Sequence, residues 1–347
     1  MGRIILHIDM DAFFAAIEER DNPRFAGKSI DIGADPKGER GRGVVSTANY
    51  EARKYGIGSA MPISWAYKAN PDAIFLPPDF RRYSASSRNI MAILGKYAKK
   101  MQQVSVDEAY LEVTGSKLQV TSYKKAEEIA RKIKKEIWEK EKLTCSIGIG
   151  PNKLIAKIAS DEQKPDGLTI IKPNQVKNFL DPKLASVIPG IGPKSFAALK
   201  DIEVETISDL RKIPKEKLVE QFGVHGNQMW AMARGQDERI IEEEREIKSV
   251  GKQTTFQHDI KTSGPIVKAA FELLHGVFGE LKESGLSGKT LIIVVRYAWF
   301  ETHTSQETQD EALTLKDAKR LCLKLLLPYL GKERIRLVGV RISGLFN

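Results

Sequence analysis

Two aspartates, spaced two residues apart, end the first apolar segment of the chain. Asp9 and Asp11 follow the run Ile4-Ile5-Leu6-His7-Ile8, and residues i and i+2 of a β-strand point to the same side. Two like charges at the end of a buried strand are costly unless a cation lies between them. A divalent metal that prefers oxygen ligands is the usual cation. The pattern therefore suggests a metal site, although an isolated D-x-D pair is more often made of turn or cap residues.

A second acidic pair, Asp107-Glu108, lies in the middle of the segment 104–113. Alternating apolar residues on both sides predict two strands joined by a short turn, or one bent strand. The alternative interpretation is that the pair lies at a solvated hairpin tip and carries charge for solubility. If this segment lies beside the first strand, Asp9, Asp107 and Glu108 converge on one metal cluster. Oxygen ligands alone favour Mg²⁺ over zinc, and two such ions about 4 Å apart would clamp an in-line phosphoryl transfer.

Tyr50 and Arg53 are three residues apart in a segment that predicts the start of a helix. Their side chains would then lie on one face. A guanidinium pairs with phosphate through two hydrogen bonds, and a phenol donates one more, so the pair suits a triphosphate. The spacing alone favours an ordinary exposed helix face.

Five motifs in a fixed order carry a family resemblance: I-D-M-D-A-F-F-A, S-T-A-N-Y-E-A-R-K-Y-G, S-A-M-P, S-V-D-E-A-Y-L and K-I-A-S-D-x-x-K-P-D-G. Together they resemble the Y-family DNA polymerases, and most closely the DNA polymerase IV branch of these translesion enzymes. The similarity runs from Arg3 to about Phe346. It implies an α/β multi-domain protein with the right-hand polymerase fold.

The resemblance also implies roles for the acidic residues. Asp9 and Asp107 would be ligands of two Mg²⁺ ions. The backbone carbonyl of Met10 would be a further ligand, and Glu108 would complete the site for the primer 3′-oxygen. Asp11 matches an acidic position of the family but is not expected to bind the metal directly.

For the incoming nucleotide, the resemblance assigns the β- and γ-phosphates to Tyr50 and Arg53, with Lys164 reaching the same group. Phe14 matches the steric gate, whose ring occupies the space that a ribose 2′-hydroxyl needs. Phe13 belongs to the same nucleotide-binding motif, and its ring is expected to pack in the core.

Composition sets broad limits on the class of protein. The chain has 347 residues, too many for one ordinary core, and 41% of them are hydrophobic, which is ample for globular folding. The net charge of +10 favours a polyanionic partner. Cys145 and Cys322 have no metal-ligand spacing, which fits a reducing compartment. No signal-like start and no run near the ~20 apolar residues of a membrane span occurs, so we expect a cytoplasmic protein.

The expected domains follow the family pattern. The palm comprises residues 1–12 and 79–171, the fingers 13–78 and the helical thumb 172–235. A charged linker at 236–248, with no clear core stripe, precedes the little finger at 249–347. The little finger is predicted to have the order β-α-β-β-α-β.

Two regions are expected to contact DNA. The segment Ile188-Pro189-Gly190-Ile191-Gly192 resembles a helix-hairpin-helix turn, in which Gly190, Gly192 and Lys194 would approach a phosphate; the alternative is a helix connection without a ligand. In the little finger, phosphate contacts are predicted for Lys252, Thr254, Arg336 and Arg341. Such contacts bind DNA without reading its sequence.

The predicted function is template-directed DNA synthesis of the translesion type, in DNA damage tolerance and mutagenesis. A monomer would add deoxynucleotides to a primer on a DNA template and release pyrophosphate. Nothing resembles a proofreading exonuclease, so low fidelity is expected. Binding of a sliding clamp is in doubt, because residues 344–347 follow the last predicted strand without the docking peptide common in the family. The alternatives are a nucleotidyl cyclase, which leaves the thumb and basic C-terminal domain without a use, and a non-catalytic DNA-binding module.

Overall fold

A computed structural model describes residues 2–115, 120–243 and 246–347. The chain divides into two units, residues 1–244 and 245–347, and each is described by itself. The strands are β1 (Ile5–Met10), β2 (Ile30–Gly33), β3 (Val45–Ala48), β4 (Ile74–Leu76), β5 (Lys100–Gln103), β6 (Glu108–Glu112), β7 (Cys145–Gly150), β8 (Leu168–Ile170), β9 (Ser249–Ile260), β10 (Ser287–Tyr297), β11 (Thr302–Thr308) and β12 (Ile335–Phe346).

Helices connect these strands in both units. They are α1 (Phe13–Asp21), α2 (Tyr50–Arg53), α3 (Ile63–Ala69), α4 (Phe80–Gly95), α5 (Tyr123–Glu141), α6 (Lys153–Asp161), α7 (Val176–Leu180), α8 (Pro193–Lys200), α9 (Ile207–Lys212), α10 (Lys215–Phe222), α11 (Val224–Ala233), α12 (Ser263–Glu283) and α13 (Leu315–Leu326).

The first unit is built around a five-stranded sheet of order β5-β6-β1-β7-β8. All six residues of β1 are buried, because β1 lies at the centre and both faces are covered. Leu6 and Ile8 share a core with Ile90 of α4 and Ile133 of α5, while α6 packs against β1 and β7. This explains why β1 reads as a nearly continuous apolar run.

The acidic segment 104–113 contains one strand, β6, which forms a hairpin with β5 at residues 100–103. Two strands are therefore joined by a short turn, but the first ends before the predicted segment, and Asp107 lies in the turn. Strand β5 pairs antiparallel with β6 up to Gln103 opposite Ala109. The turn contains no Gly, Asn or Pro. Instead, the Ser105 hydroxyl accepts hydrogen bonds from the backbone N–H groups of Asp107 (3.3 Å) and Glu108 (2.9 Å), which is a known use of serine in turns.

A three-stranded sheet of order β3-β2-β4 carries the segment of Tyr50. The side-chain oxygen of Asn49 accepts hydrogen bonds from the N–H groups of Ala52 (2.9 Å) and Ile30 (3.1 Å). Asn49 therefore caps α2 and ties it to β2, which fixes the direction in which α2 begins.

Asp31, in the middle of β2, is fully buried beside Ala48 and Phe75 of the neighbouring strands. Neither of its carboxylate oxygens has a hydrogen-bond partner among the described residues. Burial raises the pKa of Asp31 to about 6, compared with about 3.9 in an unfolded chain. Because the native state binds this proton more tightly, the contribution of Asp31 to stability falls as the pH rises from about 4 to about 6.

We therefore expect Asp31→Val to raise the free energy of unfolding at pH 7.5 by about 3 kcal/mol, the energy equivalent of this shift. The gain should be much smaller at pH 4.5, and valine also suits a buried strand. Urea unfolding at both pH values measures this, with Asp72→Asn at an exposed loop position as the control. A loss of stability at pH 7.5 would mean that the carboxylate has a stabilising partner.

The helices α7 to α11 pack around an apolar cluster that includes Leu199, Leu210 and Met229 and that α6 shares through Leu154 and Ile158. Helix α8 begins after Gly192 and α11 after Gly223, and neither N-terminus has a side-chain cap. The two turns touch each other, because the His225 ring nitrogen Nε2 lies 2.9 Å from the carbonyl oxygen of Gly190. His225 lies in the first turn of helix α11.

The first part of the predicted linker is not a free tether. The Asp237 carboxylate accepts a hydrogen bond from the Leu154 N–H (2.9 Å), and Ile241 is only 3% exposed, packed with Ile5 and Tyr110. The three isoleucines of this charged segment, at 240, 241 and 247, give no periodic pattern, so the sequence did not reveal this contact. Residues 244 and 245 lie outside the described residues.

The second unit has the predicted order β-α-β-β-α-β, which is confirmed. Its four strands form an antiparallel sheet of order β11-β10-β12-β9. Helices α12 and α13 cover one face, where Leu274 and Leu321 pack against Val340 and other buried residues of β10 and β12. Among residues 246–347, no helix covers the opposite face.

Candidate active site

Two acidic residues from distant parts of the sequence meet at one end of the central sheet. In the pairing of β1 with β6, Asp9 lies opposite Glu108, and in the pairing with β7 it lies opposite Ser146. Asp9 is 7% exposed. The sheet register therefore brings the carboxylates of Asp9 and Glu108 together, as the sequence analysis predicts.

Two lysines from the region of α6 neutralise this pair. Lys164 Nζ lies 2.7 Å from Asp9 Oδ2 and 2.7 Å from Asp161 Oδ1, and Lys157 Nζ lies 2.9 Å from Glu108 Oε1. Burial raises the pKa of Asp9 to about 7 although Lys164 opposes this shift. Burial would also raise the pKa of Glu108, but the hydrogen bond with Asp9 and the charge of Lys157 outweigh it and lower that pKa. Burial thus leaves the ionised form of Asp9 only partly stabilised by Lys164.

The carboxylate of Asp107 does not join this pair in the structure. Its backbone oxygen accepts a hydrogen bond from the Met10 N–H (3.1 Å), which places the residue beside the end of β1. Its side chain instead accepts a hydrogen bond from the Ser105 hydroxyl (2.5 Å). Within residues 2–115, 120–243 and 246–347, no three acidic, histidine or cysteine side chains are close enough to enclose a metal ion. The expected convergence of all three carboxylates is therefore seen for two of them.

The donor chemistry at this end of the sheet nevertheless fits a hard divalent cation. The available groups are carboxylate oxygens, and burial raises the pKa of Asp9 because its ionised form loses the solvation that a bound cation would replace. The neighbouring His7 is fully buried, and its Nδ1 bonds the Ser160 hydroxyl at 2.8 Å. Burial lowers the pKa of His7 to about 3, so this ring is neutral and adds no positive charge.

Tyr50 and Arg53 are the first and last residues of the short helix α2, and their side chains lie together. The Arg53 guanidinium lies 4.6 Å from the centre of the Tyr50 ring, and its Nε donates to the Ala48 carbonyl (3.0 Å). The Tyr50 hydroxyl donates to Asp11 Oδ1 (3.4 Å). Burial raises the pKa of Tyr50 to about 12, so the phenol keeps its proton and remains a hydrogen-bond donor at neutral pH.

Phe14 is held by other aromatic rings. It stacks on Tyr83 with 4.3 Å between ring centres and 13° between planes, and Phe80 meets its edge at 6.1 Å. Tyr83 is in turn fixed by a hydrogen bond from its hydroxyl to Glu18 (2.8 Å). Phe13 is 2% exposed in the core, as expected.

Sequence reasoning did not identify Lys157 or Tyr83 as site residues. Lys157 and Asp161 are four residues apart on one face of α6, and Lys164 follows the end of that helix, so their nearness to one another could have revealed the first. Tyr83 lies far from Phe14 in the sequence, and no local pattern links the two.

The residues expected to bind DNA lie in different surroundings. Lys194 is exposed in the first turn of α8, next to Gly192. In the second unit, Arg341 is exposed on the face without helices, beside a groove of about 470 Å³ lined by Gly251, Gln253 and Gly339 among others.

Lys252 and Thr254, also predicted to contact phosphate, lie on the other face of that sheet from Arg341. Strand β9 pairs Lys252 with Val340 and Thr254 with Val338, and both valines are buried in the core with the helices. Lys252 Nζ accordingly lies 3.2 Å from Glu280 of α12.

Arg336 lies at an irregular point of the pairing of β12 with β9. Its guanidinium stacks 4.4 Å from the centre of the exposed Phe300 ring. It is therefore near the β10–β11 turn and not beside the groove that contains Arg341.

Family models match most of the chain. The impB/mucB/samB family matches residues 8–161 and its C-terminal domain matches 247–347, while the model described as "DNA polymerase-iota, thumb domain" matches 186–237. The last match agrees with the predicted helix-hairpin-helix thumb. No helix in the described part of the chain has the length and apolar character needed to cross a membrane.

Comparison with relatives and with solved structures agrees with the family models. The chain is 42% identical to DNA polymerase IV of Methanoculleus marisnigri, over 99% of this chain and 94% of that protein. It is 40% identical to DNA polymerase IV of Streptococcus pneumoniae, over 99% and 97%. A Y-family DNA polymerase chimera of Dbh and Dpo4 matches with a TM-score of 0.87 and 30% identity, over 98% of each chain. An insertion ternary complex of Dbh DNA polymerase matches with 0.70 and 29%, again over 98% of each. Because full-length relatives, family models and folds agree, the chain belongs to the Y family of DNA polymerases, on its DNA polymerase IV branch, and is a DNA-directed polymerase of the translesion type.

Proposed function

We propose that this polymerase performs a two-metal nucleotidyl transfer at the end of the central sheet. Asp9, Asp107 and the Met10 carbonyl would hold two Mg²⁺ ions, with Glu108 next to the primer 3′-oxygen. The observation that carries this proposal is the placement of Asp9 opposite Glu108, with the pKa of Asp9 raised by burial. The chemistry that such ions supply when bound is stabilisation of charge on the attacking and leaving oxygens.

The lysines of the site would have two successive roles. In the structure Lys164 neutralises Asp9. When a nucleotide is bound, the same ammonium group would neutralise the triphosphate, and Lys157 would continue to balance Glu108. Tyr50 and Arg53 would donate hydrogen bonds to the β- and γ-phosphates, because the phenol keeps its proton and a guanidinium pairs with phosphate through two bonds.

Sugar selection would depend on the volume of the Phe14 ring. Its stack on Tyr83 limits how far the ring can turn. A ribose 2′-hydroxyl would overlap the ring, whereas a deoxyribose would fit, so the enzyme would select deoxynucleotides without a polar contact.

DNA would be held through its phosphates. Gly190, Gly192 and Lys194 would contact the backbone from the thumb, and Arg341 from the open face of the second unit. Lys252 and Thr254 are weaker candidates, because they lie on the helix side of the edge strand β9. Arg336 would contribute near the β10–β11 turn. Such contacts are independent of sequence, as a polymerase that moves along a template requires.

The domain division of the sequence analysis also belongs to this proposal: palm (1–12 and 79–171), fingers (13–78), thumb (172–235), linker (236–248) and little finger (249–347). The division of the structure at residues 244/245 lies within the proposed linker. The net charge of +10 supports a DNA partner. We further propose that the enzyme acts as a monomer in the cytoplasm.

Primer extension with purified protein tests the proposed reaction. With Mg²⁺, deoxynucleotides and a primed template, we expect a short ladder of products together with pyrophosphate, and none after chelation by EDTA. A matched reaction without DNA should give no cyclic nucleotide. Failure to extend the primer in Mg²⁺, with DNA binding intact, would contradict the proposal.

A further inference from the structure

Asp11 lies two residues beyond Asp9, but its carboxylate is used in a different way. It is 4% exposed. Oδ1 accepts hydrogen bonds from the Ser146 hydroxyl (2.8 Å) and the Tyr50 hydroxyl (3.4 Å), and Oδ2 accepts one from the Asp166 backbone N–H (2.8 Å). Both oxygens are therefore occupied by groups from three separate segments, which together with Asp11 we call the Asp11 network.

The first branch of the Asp11 network fixes the loop that follows Lys164. The Gly167 N–H donates to the Ser146 hydroxyl (3.2 Å), and that hydroxyl donates its own proton to Asp11. Lys134 Nζ supports the same loop from α5 by donating to the Gly167 carbonyl (3.2 Å). Since Asp166 is two residues after Lys164, the Asp11 network sets the point from which the Lys164 side chain extends.

The second branch reaches α2, which follows β3 of the three-stranded sheet. The Tyr50 hydroxyl donates to Asp11, and the Arg53 guanidinium lies over the face of the Tyr50 ring. Tyr50 and Pro165 both line a cavity of about 290 Å³ next to Asp11. Packing between the Tyr50 segment and the Lys164 loop is thus incomplete at this point, and a polar link through Asp11 joins them.

The donors around Asp11 explain why this position carries an aspartate. The Ser146 hydroxyl, the Asp166 N–H and the Tyr50 hydroxyl all donate, and an ionised carboxylate only accepts. An asparagine would point its NH₂ group at one of these donors. A buried carboxylate with three donors also avoids the cost of an unpaired buried charge.

We infer that Asp11 is a positioning residue for the incoming nucleotide: it sets the distance between Tyr50 and Lys164, so that both reach one triphosphate. The inference rests on the proposed phosphate-binding roles of Tyr50 and Lys164. Asp11 acts through these two residues, and its own oxygens are not ligands of the catalytic metal. When the triphosphate binds, the Tyr50 hydroxyl moves its hydrogen bond from Asp11 to a phosphate oxygen, while Asp11 keeps the loop of Lys164 in place.

The test is single-nucleotide incorporation by the full chain on a fixed primer–template, with Asp11→Asn, Tyr50→Phe and the double variant. We expect Asp11→Asn to raise the KM for the deoxynucleotide about tenfold, as for the loss of one charge-assisted hydrogen bond. Its kcat should stay within about threefold, and the Mg²⁺ concentration for half-maximal rate should be unchanged. The double variant should raise the KM by less than the product of the two single effects, because the changes share the link between Tyr50 and Asp11, while only Asp11→Asn also loosens the loop of Lys164.

Ser146→Ala keeps the carboxylate and removes one of its donors, so we expect a smaller rise in KM, about threefold. This variant also decides the question if Asp11→Asn does not fold, which a thermal melt would show. An unchanged KM in Ser146→Ala would then overturn the inference.

The remaining outcomes separate the inference from the proposed function. If Tyr50→Phe raises the KM but Asp11→Asn does not, the inference is wrong and the role of Tyr50 stands. A loss of kcat of about a thousandfold with a shifted Mg²⁺ dependence in Asp11→Asn would make Asp11 a metal ligand and overturn the inference. If Tyr50→Phe leaves the KM unchanged, the proposed role of Tyr50 and the inference both fail.

Discussion

Asp107→Ala is expected to lower the rate of primer extension by on the order of a thousandfold while the protein still folds and binds DNA. A bound divalent ion contributes several kcal/mol to the transition state of phosphoryl transfer, and about 1.4 kcal/mol corresponds to a factor of ten. Asp107 is only partly buried, and its carboxylate bonds the Ser105 hydroxyl of its own turn. Removing it therefore costs little stability, which makes this variant a cleaner test than a change at the buried Asp9.

Single-turnover extension at saturating DNA measures this effect, and a filter-binding or anisotropy assay measures DNA affinity. Glu112→Gln is the matched control, because Glu112 lies on the same strand β6 but pairs with Arg3 (3.6 Å) away from Asp9. The control should extend primers at the normal rate. Normal extension by Asp107→Ala would remove Asp107 from the metal site and leave Asp9 and Glu108 as its only acidic members.

The pairing of Asp9 with Glu108 could be predicted from sequence because two independent patterns agree there. An apolar run that ends in carboxylates identifies a buried strand with a functional end, and the second acidic pair supplies oxygen ligands of the same kind. The orientation of Asp107 could not be predicted. That orientation depends on the Ser105 hydroxyl, which accepts hydrogen bonds within the turn and also donates one to the Asp107 carboxylate. Neither contact produces a residue spacing that can be recognised in the sequence.

The face of β9 on which Lys252 and Thr254 lie could have been predicted from the sequence. Val250 and Phe256 pack on the helix side, and Lys252 and Thr254 have the same parity along the strand, so a period of two places all four on one face. The contact of Ile241 with the first unit is a different case, because it depends on distant residues and one buried isoleucine forms no pattern.

Sugar selection is the second large effect. Phe14→Ala is expected to raise the relative use of ribonucleotides on the order of a hundredfold, with little loss of deoxynucleotide incorporation. Forcing extra atoms into a packed space costs about 1–3 kcal/mol, and the upper end of this range corresponds to a factor near one hundred in the rate of incorporation. The Phe14 ring is held in one orientation, because Tyr83 stacks on it and Glu18 accepts a hydrogen bond from the Tyr83 hydroxyl.

Two further variants show whether the ring itself or the surrounding core is responsible. Phe13→Leu changes the neighbouring aromatic, which is 2% exposed in the core, and should lower stability without changing the ratio of ribonucleotide to deoxynucleotide use. Tyr83→Leu removes the support of Phe14 and should give an intermediate ratio, since the gate ring remains but can turn. All three are compared in incorporation of one ribonucleotide or one deoxynucleotide on the same primer. Unchanged selection in Phe14→Ala, or equal relaxation in Phe13→Leu, would place the gate elsewhere, because a steric gate must depend on the ring that touches the sugar and not on core volume in general.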